Sequence, residues 1–204
     1  MALSSNIIVI SGTDTGVGKT VLTGLLVFVL RRAGMDAVAL KPFCSGSRAD
    51  ARHLRSMQDN ALTLEEINPF YFREPLAPLV AARKHRRKIS LDRVLIFIGS
   101  YHREHIIIEG AGGLLSPLGE GFTILDVVRE LKANLILVAP NKLGVINQTL
   151  LALRAADGRA QIVLMRQKNP DRSAKYNCAL LRELAAPARV YDFPYLRAQK
   201  RTPP

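Results

Sequence analysis

Nine consecutive residues, Gly12-Thr13-Asp14-Thr15-Gly16-Val17-Gly18-Lys19-Thr20, have the types and spacing needed to hold a polyphosphate. Gly16 and Gly18 let the backbone turn tightly and approach an anion. Backbone N–H groups can then face the phosphates, and the start of the following helix adds positive potential. A lysine at position 19 reaches the β and γ phosphates, and a hydroxyl at position 20 is a magnesium ligand. The common spacing is G-x-x-x-x-G-K-S/T. Here its first position is Thr13, with Gly12 one residue earlier. Such a loop specifies a nucleoside triphosphate without saying what is done to it.

Two further stretches supply reactive groups. Lys41 precedes Pro42 at the end of an apolar run, where its charge can stabilise phosphoryl oxygens during transfer. Glu109 ends the run Ile106-Ile107-Ile108 and opens Gly110-Ala111-Gly112-Gly113. A carboxylate leaving a buried strand needs a partner, and magnesium is one. Asn141-Lys142-Leu143-Gly144 approaches the guanine-reading N-K-x-D, but Gly144 stands where the carboxylate is required, which excludes a GTPase. The segment Gly144–Asn147 reads instead as a helix start able to hold a substrate carboxylate.

The elements that must position these groups follow from apolar patterning. Strands are expected at Ile7–Ile10, Ala37–Leu40, His105–Ile108, Leu135–Ala139, Ile162–Met165 and Val190–Phe193. Their nearly continuous apolar character fits burial on both faces. Helices are expected near Lys19–Ala33, Asp50–Gln58, Leu91–His102, Ile124–Leu131, Ile146–Ala155 and Ala174–Leu184. This alternation predicts an α/β fold, a mostly parallel sheet covered by helices on both faces. Pro69, Pro75 and Pro78 interrupt the middle, which is expected to wrap around one domain spanning residues 1–204. The basic tail 197–204 is expected to fray.

Bulk properties narrow the partners. The chain of 204 residues carries a net charge of +12 at pH 7, which favours anions. Arg83, Lys84, Arg86, Arg87 and Lys88, with His85 among them, concentrate part of that excess. No nucleic-acid module surrounds them and Trp is absent, so a solvated basic surface is favoured over a nucleic-acid interface. Cys44 and Cys178 offer neither a disulfide framework nor zinc spacing, which suits a reducing cytoplasm. No signal peptide or membrane span is expected.

Taken together, these stretches resemble dethiobiotin synthetases. The matching pieces are Gly12-Thr13-Asp14-Thr15-x-Val17-Gly18-Lys19-Thr20, Lys41-Pro42-x-x-Ser45-Gly46, Asn68-Pro69, Glu109-Gly110-Ala111-Gly112-Gly113 and Lys142-Leu143-Gly144-x-Ile146-Asn147. They occur in that family's order and cover most of residues 6–155. The resemblance implies a P-loop fold, a homodimer, ATP as co-substrate and Mg2+ as cofactor. It implies ring closure of 7,8-diaminononanoate with carbon dioxide, by way of a carbamate and a carbamic-phosphoric anhydride.

Carried onto this chain, the resemblance makes Lys19 and Lys41 catalytic and gives the metal to Thr20, Asp50 and Glu109. The nucleotide would meet Gly16, Val17, Gly18, Lys19, Thr20, Val21, Asp50, Glu109, Gly110, Ala111 and Gly112, with Pro194, Tyr195 and Leu196 near its base. Thr15, Lys41, Ser45 and Gly112 would line the diamine, and Gly144, Val145, Ile146 and Asn147 would meet its carboxylate across the dimer interface. Where the family has a base-reading Asn, this chain has Arg166-Gln167. Arg166 then either stacks on the base or belongs to a pocket of loose selectivity.

Three rival readings are weighed against this one. A partition-type ATPase would need a second lysine early in the loop, where Thr13-Asp14-Thr15 stand. An amide ligase acting on a cobalamin precursor would need a glutamine-hydrolysing domain. A regulatory protein that kept the fold and bound nucleic acid through Arg83–Lys88 would show no diamine-dependent ATP turnover.

Overall fold

The computed structural model describes residues 6–196. In chain order its elements are β1 (Asn6–Gly12), α1 (Lys19–Arg32), β2 (Ala37–Leu40), β3 (Phe43–Ser45), α2 (Ala49–Met57), α3 (Leu64–Ile67), β4 (Phe70–Phe72), α4 (Pro78–Lys84), α5 (Leu91–Gly99), β5 (His105–Gly113), β6 (Pro117–Gly119), β7 (Phe122–Thr123), α6 (Ile124–Glu130), β8 (Asn134–Pro140), α7 (Val145–Ala155), β9 (Gln161–Met165), α8 (Ala174–Leu184) and β10 (Val190–Phe193). The tail 197–204 lies outside the described residues.

Six strands form one parallel sheet in the order β10-β9-β8-β1-β5-β2. The chain runs from β1 out to β2, comes back to fill the place between them with β5, and then adds β8, β9 and β10 on the other side of β1. The C-terminal end of β1 therefore sits where the winding reverses, the place at which such sheets leave a crevice.

Side chains alternate between two cores because successive strand residues point to opposite faces. Val38, Leu40, Ile106, Ile108, Leu137, Ile162 and Leu164 join one core, against Val94 and Ile98 of α5, Val127 of α6, Leu153 of α7 and Leu181 of α8. Ala37, Ala39, Ile107, Val138, Val163 and Met165 join the other, against Leu22, Leu26 and Val27 of α1 and Leu54 and Met57 of α2. Both faces are dry, which explains strands that are apolar throughout. Each fully buried Ile or Leu in these rows contributes about 2 kcal/mol.

The six central strands and six longer helices fall where apolar patterning places them, with shifted ends. β5 runs on through Glu109 to Gly113, because Gly113 still aligns with Gly12 of β1 although no apolar side chain marks that stretch. α5 stops at Gly99 rather than His102. The short elements β3, β4, β6, β7, α3 and α4 carried too little pattern to be read. Pro78 does not interrupt the chain but opens α4, since the first helical position needs no backbone N–H donor. A reciprocal cap between Thr63 and Glu66 starts α3. No helix among the described residues is long and apolar enough to cross a membrane.

Candidate active site

The alternating strand rows deliver the reactive groups. Lys41 continues the row of Ala37 and Ala39, and Glu109 continues that of Ile107, so both leave the sheet on the face covered by α1 and α2. Glu109 is 1% exposed and Lys41 is 4% exposed. Glu109 Oε1 accepts from Lys41 Nζ at 2.6 Å and from Thr20 Oγ1 at 2.8 Å. Its other oxygen, Oε2, is buried without a partner. Lys41 Nζ also donates to the Gly110 carbonyl at 2.9 Å and lies 3.6 Å from Asp50 Oδ2.

These contacts set the charge state of the two lysines. Burial works against the charged form of Lys41, but the charge and hydrogen bond of Glu109, aided by Asp50, outweigh it and hold its pKa above the ordinary lysine value. Burial pulls the Lys19 amine down to about 8, and the positive charge of Lys41 acts in the same direction. A triphosphate beside Lys19 would relieve that pull by supplying negative charge.

The phosphate loop is held at both ends. Thr13 N donates to the Val138 carbonyl at 3.0 Å, and Lys19 Nζ folds back onto the Asp14 carbonyl at 2.7 Å. Gly16 and Gly18 adopt φ of 72° and 102°, the left-handed region that glycine tolerates. A Cβ on Gly12 would come within 2.7 Å of Val17 Cγ2 and 2.8 Å of the Asp14 carbonyl. The loop folds back over the strand end at that point, which accounts for a glycine one position earlier than the common spacing.

A cavity of about 700 Å³ opens between these elements. Thr15, Gly16, Gly18, Lys19, Thr20, Val21, Lys41, Ser45, Asp50, Glu109, Ala111 and Gly112 line it. Ser45 Oγ is buried there without a partner. Val17 instead packs beneath the loop in the core, and Gly110 offers only its carbonyl to Lys41. Thr20, Asp50 and Glu109 bring one hydroxyl and two carboxylates to this cavity, oxygen donors suited to a hard divalent cation. Glu109 Oε2 is an acceptor left over for such an ion. No cluster of three or more His, Cys, Asp or Glu able to hold a metal occurs among the described residues. Protein side chains would thus supply part of a coordination shell, the usual arrangement when phosphates and water complete it.

Arg166, Pro194 and Tyr195 line a separate hollow of about 1070 Å³ beyond the ends of β9 and β10. Leu196 is exposed nearby in sequence but outside that lining. Arg166 is engaged: Nη2 donates to Asp192 Oδ2 at 2.6 Å, and Nε reaches both carboxylate oxygens at 3.1 Å. Gln167 Nε2 donates to the Met165 carbonyl at 2.7 Å. Gly144, Val145, Ile146 and Asn147 sit at the start of α7 and line neither hollow within one chain; Val145 is buried. Asn141 donates to the Ala174 carbonyl at 3.0 Å and accepts from Asn177 at 2.9 Å, so its work is to tie α8 to the β8–α7 loop.

Sequence reading gave no role to Ser116 or to residues 75–78, which complete the cavity wall. Ser116 Oγ accepts from Gly113 N at 2.9 Å, and a Cβ on Gly112 would collide with it. It also gave none to Arg48 or Asn68, which pack under the Lys41 turn. The Asn68-Pro69 pair, one of the pieces that match the family, was the available signal, without a mechanism attached.

A family model described as an AAA domain matches residues 6–196. The ATP-dependent dethiobiotin synthetase of Akkermansia muciniphila is 40% identical over 153 residues, covering 74% of this chain and 72% of that one. That of Bacillus subtilis subsp. natto is 36% identical over 187 residues, covering 86% and 81%. That of Anaeromyxobacter dehalogenans strain 2CP-1 is 40% identical over 186 residues, covering 86% and 83%. Among solved structures, the 54 kDa signal recognition particle protein of Aeropyrum pernix K1 aligns with a TM-score of 0.54 at 18% identity, over 94% of this chain and 42% of that one. The receptor FtsY of Elizabethkingia anophelis aligns at 0.53 and 15%, over 95% and 60%, and both likenesses concern the fold. On the relatives' identity and coverage, the chain belongs to the ATP-dependent dethiobiotin synthetase family.

Proposed function

We propose that this chain closes the ureido ring of dethiobiotin from 7,8-diaminononanoate, carbon dioxide and ATP, in the cavity between the phosphate loop, Lys41 and Glu109. The observation that carries the reading is the buried cluster in which Thr20 and Lys41 converge on one Glu109 oxygen while the other is left free.

The chemistry asks three anionic groups to share one site: a carbamate, a triphosphate and a carboxylate. Lys19, at the mouth of the loop, neutralises charge on the β and γ phosphates as the bridging oxygen leaves. Lys41, kept cationic by Glu109 and Asp50, faces the carbamate oxygen that attacks phosphorus and the phosphoryl oxygens that gain charge. The attack joins the carbamate oxygen to the γ-phosphorus and releases ADP. The second amine then adds to the anhydride carbonyl and expels phosphate. Ser45 and Thr15 hold the diamine so that its amines meet the reacting carbon. Thr20, Asp50 and Glu109 would hold Mg2+, which would supply neutralising charge to the phosphates.

The 204 residues work as one P-loop domain in a homodimer. Leu143 just before α7, Leu151 within it and Leu115, which shares a hollow with Leu151, are 80%, 57% and 60% exposed, a surface that a second copy would cover. Gly144–Asn147 then meet the diamine carboxylate across that interface. A cytoplasmic location suits two free buried cysteines. Arg166 holds its plane against Asp192 and offers it to the base by stacking.

Phosphate release from ATP, measured with and without diamine and bicarbonate, tests the proposal. Release should depend on both and on magnesium. Release indifferent to the diamine would sink it.

A further inference from the structure

Lys41 and Asp50 stand at the two ends of one loop, and a single clamp beneath that loop fixes both ends. Asn68 is 1% exposed. Its Nδ2 donates to the carbonyls of Lys41 at 2.8 Å and Pro42 at 3.1 Å. Its Oδ1 accepts from Arg48 Nε at 3.1 Å. Arg48 Nη2 donates to the Leu64 carbonyl at 2.8 Å and the Asn68 carbonyl at 3.1 Å. Arg48 Nη1 donates to Glu65 Oε1 at 2.8 Å, and the guanidinium lies over the Tyr71 ring, 5.1 Å from its centroid. Two backbone bonds finish the frame: Lys41 N to the Ile67 carbonyl and Phe70 N to the Pro42 carbonyl, each at 3.0 Å.

The placement is specific. Arg48 precedes the first turn of α2, where Asp50 sits. Asn68 grips the turn immediately after β2, where Lys41 sits. A fork that bonds only to Asn68, α3 and Tyr71 therefore sets the separation that brings Asp50 Oδ2 to 3.6 Å from Lys41 Nζ. Neither Arg48 nor Asn68 lines the cavity, so neither can touch substrate from this position. We infer that the Arg48–Asn68 clamp is a positioning device that holds Lys41 and Asp50 in register for phosphoryl transfer, an inference that rests on the function proposed above.

A group aligned only for the transition state moves kcat and leaves ground-state binding alone. Arg48→Lys keeps the positive charge but puts one nitrogen where three reach Asn68 Oδ1, Glu65 and two carbonyls. Turnover with diamine, bicarbonate, ATP and magnesium should fall roughly 100-fold in kcat, the scale of a misplaced catalytic group. KM for ATP should hold, and the magnesium concentration for half-activation should rise as Asp50 drifts. Binding of magnesium-free ATP, which depends on the phosphate loop, should match the wild type and so report an intact fold. Asn68→Ser, which cannot span both carbonyls, should give the same pattern.

Normal kcat in Arg48→Lys would overturn the clamp. So would a rise in KM for the diamine in Arg48→Ala that Arg48→Lys repairs, since that marks a charge acting on substrate. Equal losses of magnesium-free ATP binding and kcat would also overturn it, in favour of a role in folding alone. Absence of diamine-stimulated turnover in the wild type would sink the proposed function itself, whereas normal turnover in wild type and variant alike sinks only the clamp.

Discussion

The stretch Arg83–Lys88 and the lysine pair of the cavity both gather positive charge, and their surroundings differ in every respect that matters to function. The first is contiguous in sequence and faces water. Arg83 closes on both oxygens of Glu120 at 2.7 and 2.8 Å, and Lys84 and His85 both reach Glu74, at 3.1 and 2.8 Å. The Arg87 guanidinium rests over the Phe72 ring at 5.2 Å. The second is drawn from distant stretches and buried, with Lys41 locked to Glu109 and Lys19 resting on its own loop. Exposed pairs in water contribute little and are screened by salt, while buried pairs are screened much less. A dense run of charge therefore marks a solvated face, and a sparse buried pair marks the chemistry.

Turnover gives the sharpest separation of the two. Lys19→Ala removes the cation that meets the β and γ phosphates and should lower diamine-dependent phosphate release by roughly 1,000-fold. Replacing Arg83, Lys84, Arg86 and Lys88 together with alanine should leave the rate at the wild-type level. A rate that follows the surface cluster and ignores Lys19 would reverse the assignment of the site.

Stability should divide the regions next. Lys41→Met strands the Glu109 carboxylate without its counter-charge, at a cost of about 3 kcal/mol in denaturant unfolding. Adding Glu109→Leu removes the stranded charge and should restore most of that loss while the enzyme stays inactive. Arg83→Ala, whose ion pair faces water, should leave the unfolding midpoint close to that of the wild type. If the double variant stayed as unstable as Lys41→Met, burial of the pair would not be the cause.

How much of this was legible in the sequence follows the same division. The six parallel strands could be read because burial on two faces leaves unbroken apolar runs, as in Ile106-Ile107-Ile108. The phosphate loop was legible because Gly16, Gly18, Lys19 and Thr20 each answer to a local rule of geometry or charge. The resemblance implied that Thr20, Lys41, Asp50 and Glu109 share one site, but from the residues alone the long-range contacts stayed hidden. Nothing near Glu109 in sequence says that Thr20 and Lys41 will share one of its oxygens. Nothing near Arg48 says that its fork will close on Asn68, with α2 and α3 between them in the chain. The solvated reading of Arg83–Lys88 could be made without its partners, but Glu74 and Glu120, which pair with Lys84 and Arg83, lie elsewhere in the chain and were not named. Strands of two or three residues, such as β6 and β7, are too short to show a period at all.

A smaller effect separates members of the surface cluster from one another. Arg86 and Lys88 form no ion pair among the described residues, whereas Arg83 and Lys84 do. Unpaired cations dominate attraction to a polyanion. Alanine at both Arg86 and Lys88 should therefore bring elution from a polyanion column to lower salt than alanine at Arg83 and Lys84. Equal shifts would mean that the acidic partners do not occupy those side chains in solution.

The smallest effect lies in a single carboxylate. Hydrogen bonds from His85 and then Lys84 hold the Glu74 carboxyl down at about 2. A depressed acid contributes stability that is present above the ordinary carboxylate range and lost as pH falls through about 2. Because its partners face water, added salt should weaken their hold and raise that value toward the ordinary one. Titration of the Glu74 carboxyl by NMR at low and high ionic strength would show the rise. A value indifferent to salt would mean that this pair is shielded from water as Lys41 and Glu109 are, and the contrast between the two regions would lose its physical basis.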